Sequence, residues 1–301
     1  MTPVIILFYG EGRLGNQVFQ YQALSTLARR DDSIVAVGLE NLQESLDLQG
    51  PRVRVLTRSK WLKRLVKFVV IPCLLRPLCR SLRLTDYAFE RESGDGAKRG
   101  ADGEIALKRG LFSRILFVDG GFYQNGALWQ QAFPANTMRL KETLRQQARN
   151  CLRAANAGVE PNAFVHVRRG DYLSYSAYGI SDLNLPESFY RDAIATLRDR
   201  LGAVHLVFVT DDPQWVSERF ADIDNQSIAS FNPALDFAIM AECAAGVLSN
   251  STFSLAAALL LNHPRLIIGP RYWFGFRSGE WLPPRIRVDH PQMLYLPATA
   301  Q

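Results

Sequence analysis

Cysteine and histidine are scarce in this 301-residue chain, four of each, and neither is clustered. Cys73, Cys79, Cys151 and Cys243 form no C-x-x-C pair, and His166, His205, His263 and His290 form no H-E-x-x-H. These absences argue against a structural zinc, a histidine-rich metal centre and a disulfide framework, and they fit a reducing compartment. Long apolar runs are missing too. Phe68 to Leu75 is eight residues and contains Pro72, too short to cross a bilayer. No signal peptide is expected, because Met1-Thr2-Pro3 runs directly into an apolar strand. Acidic residues are absent from 51–85, which holds ten Lys or Arg. The formal net charge of +6 therefore has one local source, and the rest of the chain is slightly acidic.

What is present is an ordinary globular composition, 48% hydrophobic and 21% charged, enough for one large or two medium domains. Within the basic stretch, Trp61-Leu62-Lys63-Arg64-Leu65-Val66-Lys67-Phe68-Val69-Val70 mixes cations with aliphatic and aromatic residues. Two readings stand side by side: an amphipathic segment lying on an anionic membrane surface, or a helical pair with a solvated basic face. No module of interleaved charges and stacking aromatics marks nucleic acid as a partner.

The apolar run Val4 to Tyr9 reads as a central parallel strand, followed by the turn Gly10-Glu11-Gly12-Arg13-Leu14-Gly15-Asn16-Gln17, a helix and a strand over 34–39 that ends at Glu40. Gly10, Gly12 and Gly15 fit G-x-G-x-x-G, the dinucleotide-binding fingerprint. Against that reading, bulky Arg13 sits where the backbone must approach a pyrophosphate, and Asn16-Gln17 open the helix with amides suited to hydroxyl groups. Residues 91–104 read as a mobile glycine-rich loop. Leu116 to Asn125 reads as a strand ending in glycines, aromatics and amides, either a sugar platform or an ordinary strand end. A helix is expected over 137–155, with the domain boundary in the linker that follows it.

In the second half strands and helices alternate, the pattern of a doubly wound α/β domain whose last strand is Arg265 to Pro270. Phe164-Val165-His166-Val167-Arg168-Arg169-Gly170-Asp171 reads as a buried strand entering a turn. On a strand, His166 and Arg168 share a face while Val165 and Val167 point into the packing. An imidazole and a guanidinium at a carboxyl strand end suit an anion, and the arginine fork matches phosphate oxygens. The plainer alternative is a strand end with a surface pair between Arg169 and Asp171. Asp211-Asp212-Pro213 reads first as a helix start capped by Asp212, and second as a carboxylate pair for a metal. Asp236 lies on the next helix, and Ser249-Asn250-Ser251-Thr252 feeds the N-terminus of another, a favourable place for phosphate.

Three blocks occur in order: Gly12-Arg13-Leu14-Gly15-Asn16-Gln17, His166-Val167-Arg168-Arg169-Gly170-Asp171 and Ser249-Asn250-Ser251-Thr252-Phe253. In this the chain resembles the bacterial α-1,2-fucosyltransferases of glycosyltransferase family 11, from the first strand to Arg265–Pro270 and most thinly over 41–110. The resemblance implies an α/β, GT-B-like fold of two Rossmann-type domains facing a cleft. Residues 1–157 would form the acceptor-side domain, with 51–85 as a basic insertion, and 158–301 the GDP-fucose-binding domain. It implies inverting, metal-independent transfer of L-fucose from GDP-β-L-fucose to a galactose 2-hydroxyl, with no cofactor beyond the donor. The acceptor would be a galactose-terminated, cell-surface glycan such as O-antigen, and the enzyme cytoplasmic, at the inner face of an anionic membrane.

By the same resemblance, Arg168 takes the donor β-phosphate, His166 lies beside the donor and Asp236 contacts guanine. Arg13 and Asn16, with Gly15 in their block, face the transferred sugar and the acceptor. Asp171 is the candidate general base, and Arg169, Ser249, Asn250, Ser251 and Thr252 complete the donor-binding set. Two further readings remain open at this level: an NAD-dependent oxidoreductase built on the first glycine turn, and a non-catalytic glycan- or membrane-binding module on a transferase fold.

Overall fold

The computed structural model describes residues 3–82, 84–90, 105–127, 138–156, 158, 160–261 and 264–298. The chain divides into two compact units, Met1–Arg139 and Leu140–Gln301. The division lies upstream of the expected boundary at 157/158, and the helix Glu142–Ala155 explains the difference. Its Ala148 and Leu152 are buried, and Arg145 and Arg149 both reach Glu242 on the helix Pro233–Glu242, at 2.9 and 2.6 Å. Those bonds tie the helix to the second unit. The expected loop over 91–104 lies outside the described residues.

The first unit carries a six-stranded sheet of β1 (Ile5–Tyr9), β2 (Ser33–Val37), β3 (Arg52–Val55), β4 (Thr85–Glu90), β5 (Ile105–Lys108) and β6 (Phe112–Val118), in the order β3-β2-β1-β6-β4-β5. All neighbours are parallel except β4 and β5. The helix α1 (Leu14–Leu27) follows β1 and is buried on nearly all sides, including Gln17, Gln20 and Gln22. Gln17 donates to the Gly12 carbonyl and accepts from the Leu42 N–H, and Gln20 donates to the carbonyls of Glu11 and Gly121. Buried amides of this kind hold the turn between β1 and α1 by hydrogen bonds, because an unpaired amide there would carry the full desolvation cost.

The second unit is a parallel sheet of β7 (Asn162–Val167), β8 (His205–Thr210), β9 (Gln226–Ala229), β10 (Ala245–Val247), β11 (Leu266–Pro270) and β12 (Met293–Leu296), in the order β9-β8-β7-β10-β11-β12. Every residue of β7 and β8 is buried, as expected where helices cover both faces of a parallel sheet. Val165, Val167, Phe208, Val247 and Ile268 pack with Phe189, Tyr190 and Leu197 of the helix Glu187–Leu201 into one core. The sheet does not end at Arg265 to Pro270: β12 pairs beyond β11.

This strand order reverses direction between β7 and β10. In open α/β sheets, ligands bind at the carboxyl ends of the strands flanking such a reversal. Arg168 leaves β7 there, and Ser249 to Thr252 leave β10.

The basic stretch is neither a helical pair nor solely helical. After β3 it forms one helical run from Lys60–Leu65 through Val66–Leu75 to Arg76–Arg80. Val66–Leu75 winds in wide π turns around Pro72, which lacks the N–H an α-helix would use. Among the described residues, no helix is long and apolar enough to cross a membrane.

Candidate active site

The second-unit site begins with sheet register. Val167 of β7 lies opposite Thr210 of β8, so the residues that follow, Arg168 and Asp211, emerge side by side. The Arg168 guanidinium lies 2.6 Å from Asp211 through Nη1 and 2.6 Å from Asp171 through Nη2. Asp211 also accepts the backbone N–H of Arg169 at 2.9 Å and of Gly170 at 3.3 Å. A Cβ at position 170 would lie 2.6 Å from the Asp211 carboxylate, so this approach requires glycine. Arg168 is further held over the ring of Tyr172, 5.8 Å from its centroid, and the Tyr172 hydroxyl donates to the Asn250 carbonyl at 3.0 Å.

Arg169 turns the other way. It pairs with Asp212 at 3.1 Å and stacks over Trp215 at 4.2 Å. The pair foreseen between Arg169 and Asp171 is therefore not the one formed, since Asp171 takes Arg168. Asp212 caps the helix Pro213–Arg219 by accepting from the Trp215 N–H, as its position beside Pro213 predicts. With Asp211 and Asp212 committed to arginines and backbone donors, the metal reading of this pair has no support in the geometry. Asp211 was missed as a site residue because only the pairing of β7 with β8 brings it to Arg168, across more than forty intervening residues.

The same sheet delivers His166. Val165 pairs with Val247, and one residue onward the His166 Nδ1 meets the Ser249 hydroxyl at 2.8 Å. Both are buried, and the Phe253 ring closes over the imidazole at 5.7 Å. Burial, reinforced by the nearby Arg168 charge, pushes the His166 pKa down to about 3, so the ring is neutral at ordinary pH. Ser251 is the N-cap of the helix Thr252–Leu259 and accepts from the Phe253 N–H at 3.3 Å. Asn250 donates to the Leu183 carbonyl at 2.8 Å, while its buried Oδ1 has no hydrogen-bond partner. Thr252 opens the helix, so the hydroxyl-rich turn, the helix N-terminus and Arg168 converge at the sheet reversal.

Asp236 lies in the first turn of the helix Pro233–Glu242 and accepts the Phe231 N–H at 3.0 Å. Burial raises its pKa, partly offset by that bond. Asn232 caps the helix.

In the first unit, Arg13 is the exposed N-cap residue of α1, and Gly15 is buried in the first turn of that helix. Asn16 accepts from Gln124 at 3.2 Å, joining the turn after β1 to the segment after β6, the strand that neighbours it. Gln124 and Gln20 thus support this turn; neither was singled out, because their partners are distant in sequence. Tyr123 is fully buried against Phe8 with its hydroxyl on the Asp119 carbonyl, so its ring is packing rather than platform.

The two sheets give the chain an α/β fold of the GT-B-like kind. POFUT1 in complex with GDP-fucose shares the fold with a TM-score of 0.52 at 14% identity, covering 88% of this chain and 98% of that one. The fucosyltransferase NodZ from Bradyrhizobium shares it with a TM-score of 0.52 at 12% identity, covering 90% and 95%. The profile of glycosyl transferase family 11 matches residues 110–272, and the chain belongs to that family. Galactoside alpha-(1,2)-fucosyltransferase 1 of Saimiri sciureus is 27% identical over 307 residues, spanning 96% of this chain and 72% of that protein. The O-antigen biosynthesis glycosyltransferase WbnK of Escherichia coli is 29% identical over 115 residues, 36% of this chain and 38% of that one. Membership of this family sets aside the oxidoreductase reading of Gly10, Gly12 and Gly15.

Proposed function

We propose that this fucosyltransferase-family protein moves L-fucose from GDP-β-L-fucose to the 2-hydroxyl of a galactose residue, with inversion and without a metal ion or other cofactor. One observation carries the reading: Arg168 leaves β7 at the sheet reversal, next to β10, whose end carries Ser249, bonded to His166, and the start of the helix Thr252–Leu259. A guanidinium fork and the positive end of a helix suit a diphosphate leaving group and the charge that develops on it. Asp236, on the neighbouring helix, is assigned to the guanine edge, and Arg13 and Asn16 to the transferred sugar and acceptor.

In this mechanism the bond from fucose C1 to the diphosphate breaks as galactose O2 attacks from the opposite face. GDP leaves on Arg168, and the O2 proton passes to Asp171. Asp171 now occupies one edge of the Arg168 guanidinium and is the more exposed of its two carboxylate partners. A diphosphate oxygen would take that edge, releasing Asp171 to act as base only when donor is bound. Asp211, tied also to two backbone N–H groups, would stay in place and keep Arg168 aimed.

The α-1,2 specificity of the Saimiri sciureus relative and the O-antigen role in the name of the Escherichia coli relative support a galactose-terminated surface glycan as acceptor. We place the protein at the cytoplasmic face of the membrane where such chains are assembled. Incubation with GDP-fucose and a panel of β-galactosides, with linkage analysis and parallel EDTA reactions, tests the proposal. An α-1,2-linked product that survives chelation is expected. A different linkage, or activity lost with EDTA, would overturn it.

A further inference from the structure

The helical run over 60–80 is laid across the carboxyl edge of the first sheet, inverted relative to an ordinary surface helix. Lys63 pairs with Glu40, just beyond β2, and Lys67 with Glu11, just beyond β1, at 2.6 Å. Arg76 and Arg80 both take Asp119, which follows β6, at 2.9 and 3.2 Å. Ile71 and Cys79 pack inward with Tyr87 and Phe117. Four of the cations are thus turned to the sheet edge, while a second set of apolar side chains faces out. Trp61 is 68% and Phe68 67% exposed, and Leu65, Val69, Leu74 and Leu82 are exposed with them.

We infer that this face docks on an anionic lipid bilayer by inserting Trp61 and Phe68 among the headgroups. Exposed apolar clusters rimmed by polar residues mark interaction surfaces, and aromatic residues flanked by Lys and Arg are the side chains that lodge at a membrane interface. Exposed Lys60 and Arg64 lie beside them, and no acidic residue occurs between 51 and 85. That charge is complementary to acidic phospholipid and opposes pairing with a second copy of the same basic face. The helix carries its position into function through Glu11, two residues before Arg13. A bilayer on this face brings lipid to the turn assigned to the acceptor, so the galactoside taken there is lipid-linked. This last step rests on the proposed fucosyl transfer; the docking surface does not.

Full-length protein is co-sedimented with phosphatidylcholine vesicles and with vesicles containing about 30% phosphatidylglycerol, while transfer to a soluble β-galactoside is measured alongside. The wild type is expected to pellet with the anionic vesicles and to retain part of its binding at high salt, because insertion is not screened. A Trp61→Ser, Phe68→Ser double variant is expected to lose binding by about 10-fold or more, with soluble-acceptor turnover within about twofold of wild type. Anionic vesicles that fail to bind the wild type, or that bind the double variant equally, would overturn the docking surface. So would a wild-type dimer that the double variant abolishes. Vesicle binding by a wild type that transfers no fucose supports the docking surface and overturns the transfer reading alone.

Discussion

Arg168 and Asp211 lie 2.6 Å apart because β7 and β8 pair in parallel with Val167 opposite Thr210, and the next residue of each strand carries the charge. Asp211 is fastened by the backbone N–H groups of Arg169 and Gly170, so the guanidinium is aimed by the strand ends themselves. Replacing Arg168 with alanine is expected to lower turnover about 10²–10³-fold with the fold retained, as for loss of a group that stabilises leaving-group charge. Arg168→Lys recovers only part, since a point charge cannot present the fork. Asp211→Asn keeps hydrogen bonding but weakens the aim, with an intermediate loss. The double variant Arg168→Ala, Asp211→Asn falls no further than Arg168→Ala, a non-additivity that steady-state kinetics and circular dichroism would check.

Asp171 is expected to show effects of opposite sign. Asp171→Asn removes the anion that competes with diphosphate for Arg168, so GDP should bind more tightly, by about three- to tenfold. The same change removes the proposed base, and kcat should fall. Calorimetric titration with GDP together with transfer kinetics separates the two, and weaker GDP binding by the variant would exclude the exchange of partners.

Acid stability should report His166. Its pKa is pushed down to about 3 in the folded chain from about 6.5 in the unfolded one. Between those values the unfolded state binds the extra proton, so the stabilisation is complete above pH 6.5 and is lost as pH falls. The slope is about 1.4 kcal/mol per pH unit in that window. His166→Gln should flatten this part of the profile in urea titrations from neutral pH downward.

Gly246 sits in β10 directly against Phe164 of β7, and a Cβ there would lie 2.1 Å from the ring. Both strands flank the site and both are packed on each face, so the ring has no open space to enter. Gly246→Ala is expected to destabilise the protein by about 1–3 kcal/mol. Denaturant unfolding should show a lower midpoint, and donor binding should weaken with it because His166 and Ser249 are carried by the same two strands.

The central strands, their glycine and arginine turns, and the Asp212–Pro213 cap were legible in the chain because each is a local pattern: an apolar run, a conformational constraint or a capping side chain within a few residues. Two of the edge strands were not. Arg52–Val55 alternates charge with valine, and Met293–Leu296 is only half-buried, so neither shows the continuous apolar run of a central strand. Pro72 suggested a break, yet the helix passes through it on widened turns anchored by ion pairs to Glu11, Glu40 and Asp119. The sequence by itself determined which polar and charged residues stand at the strand ends, His166, Arg168 and the Ser249–Thr252 turn among them. Only the tertiary structure decided which partner each takes. Strand register puts Asp211 beside Arg168 and Ser249 beside His166, and register is set by the burial of whole strands rather than by any residue at the site.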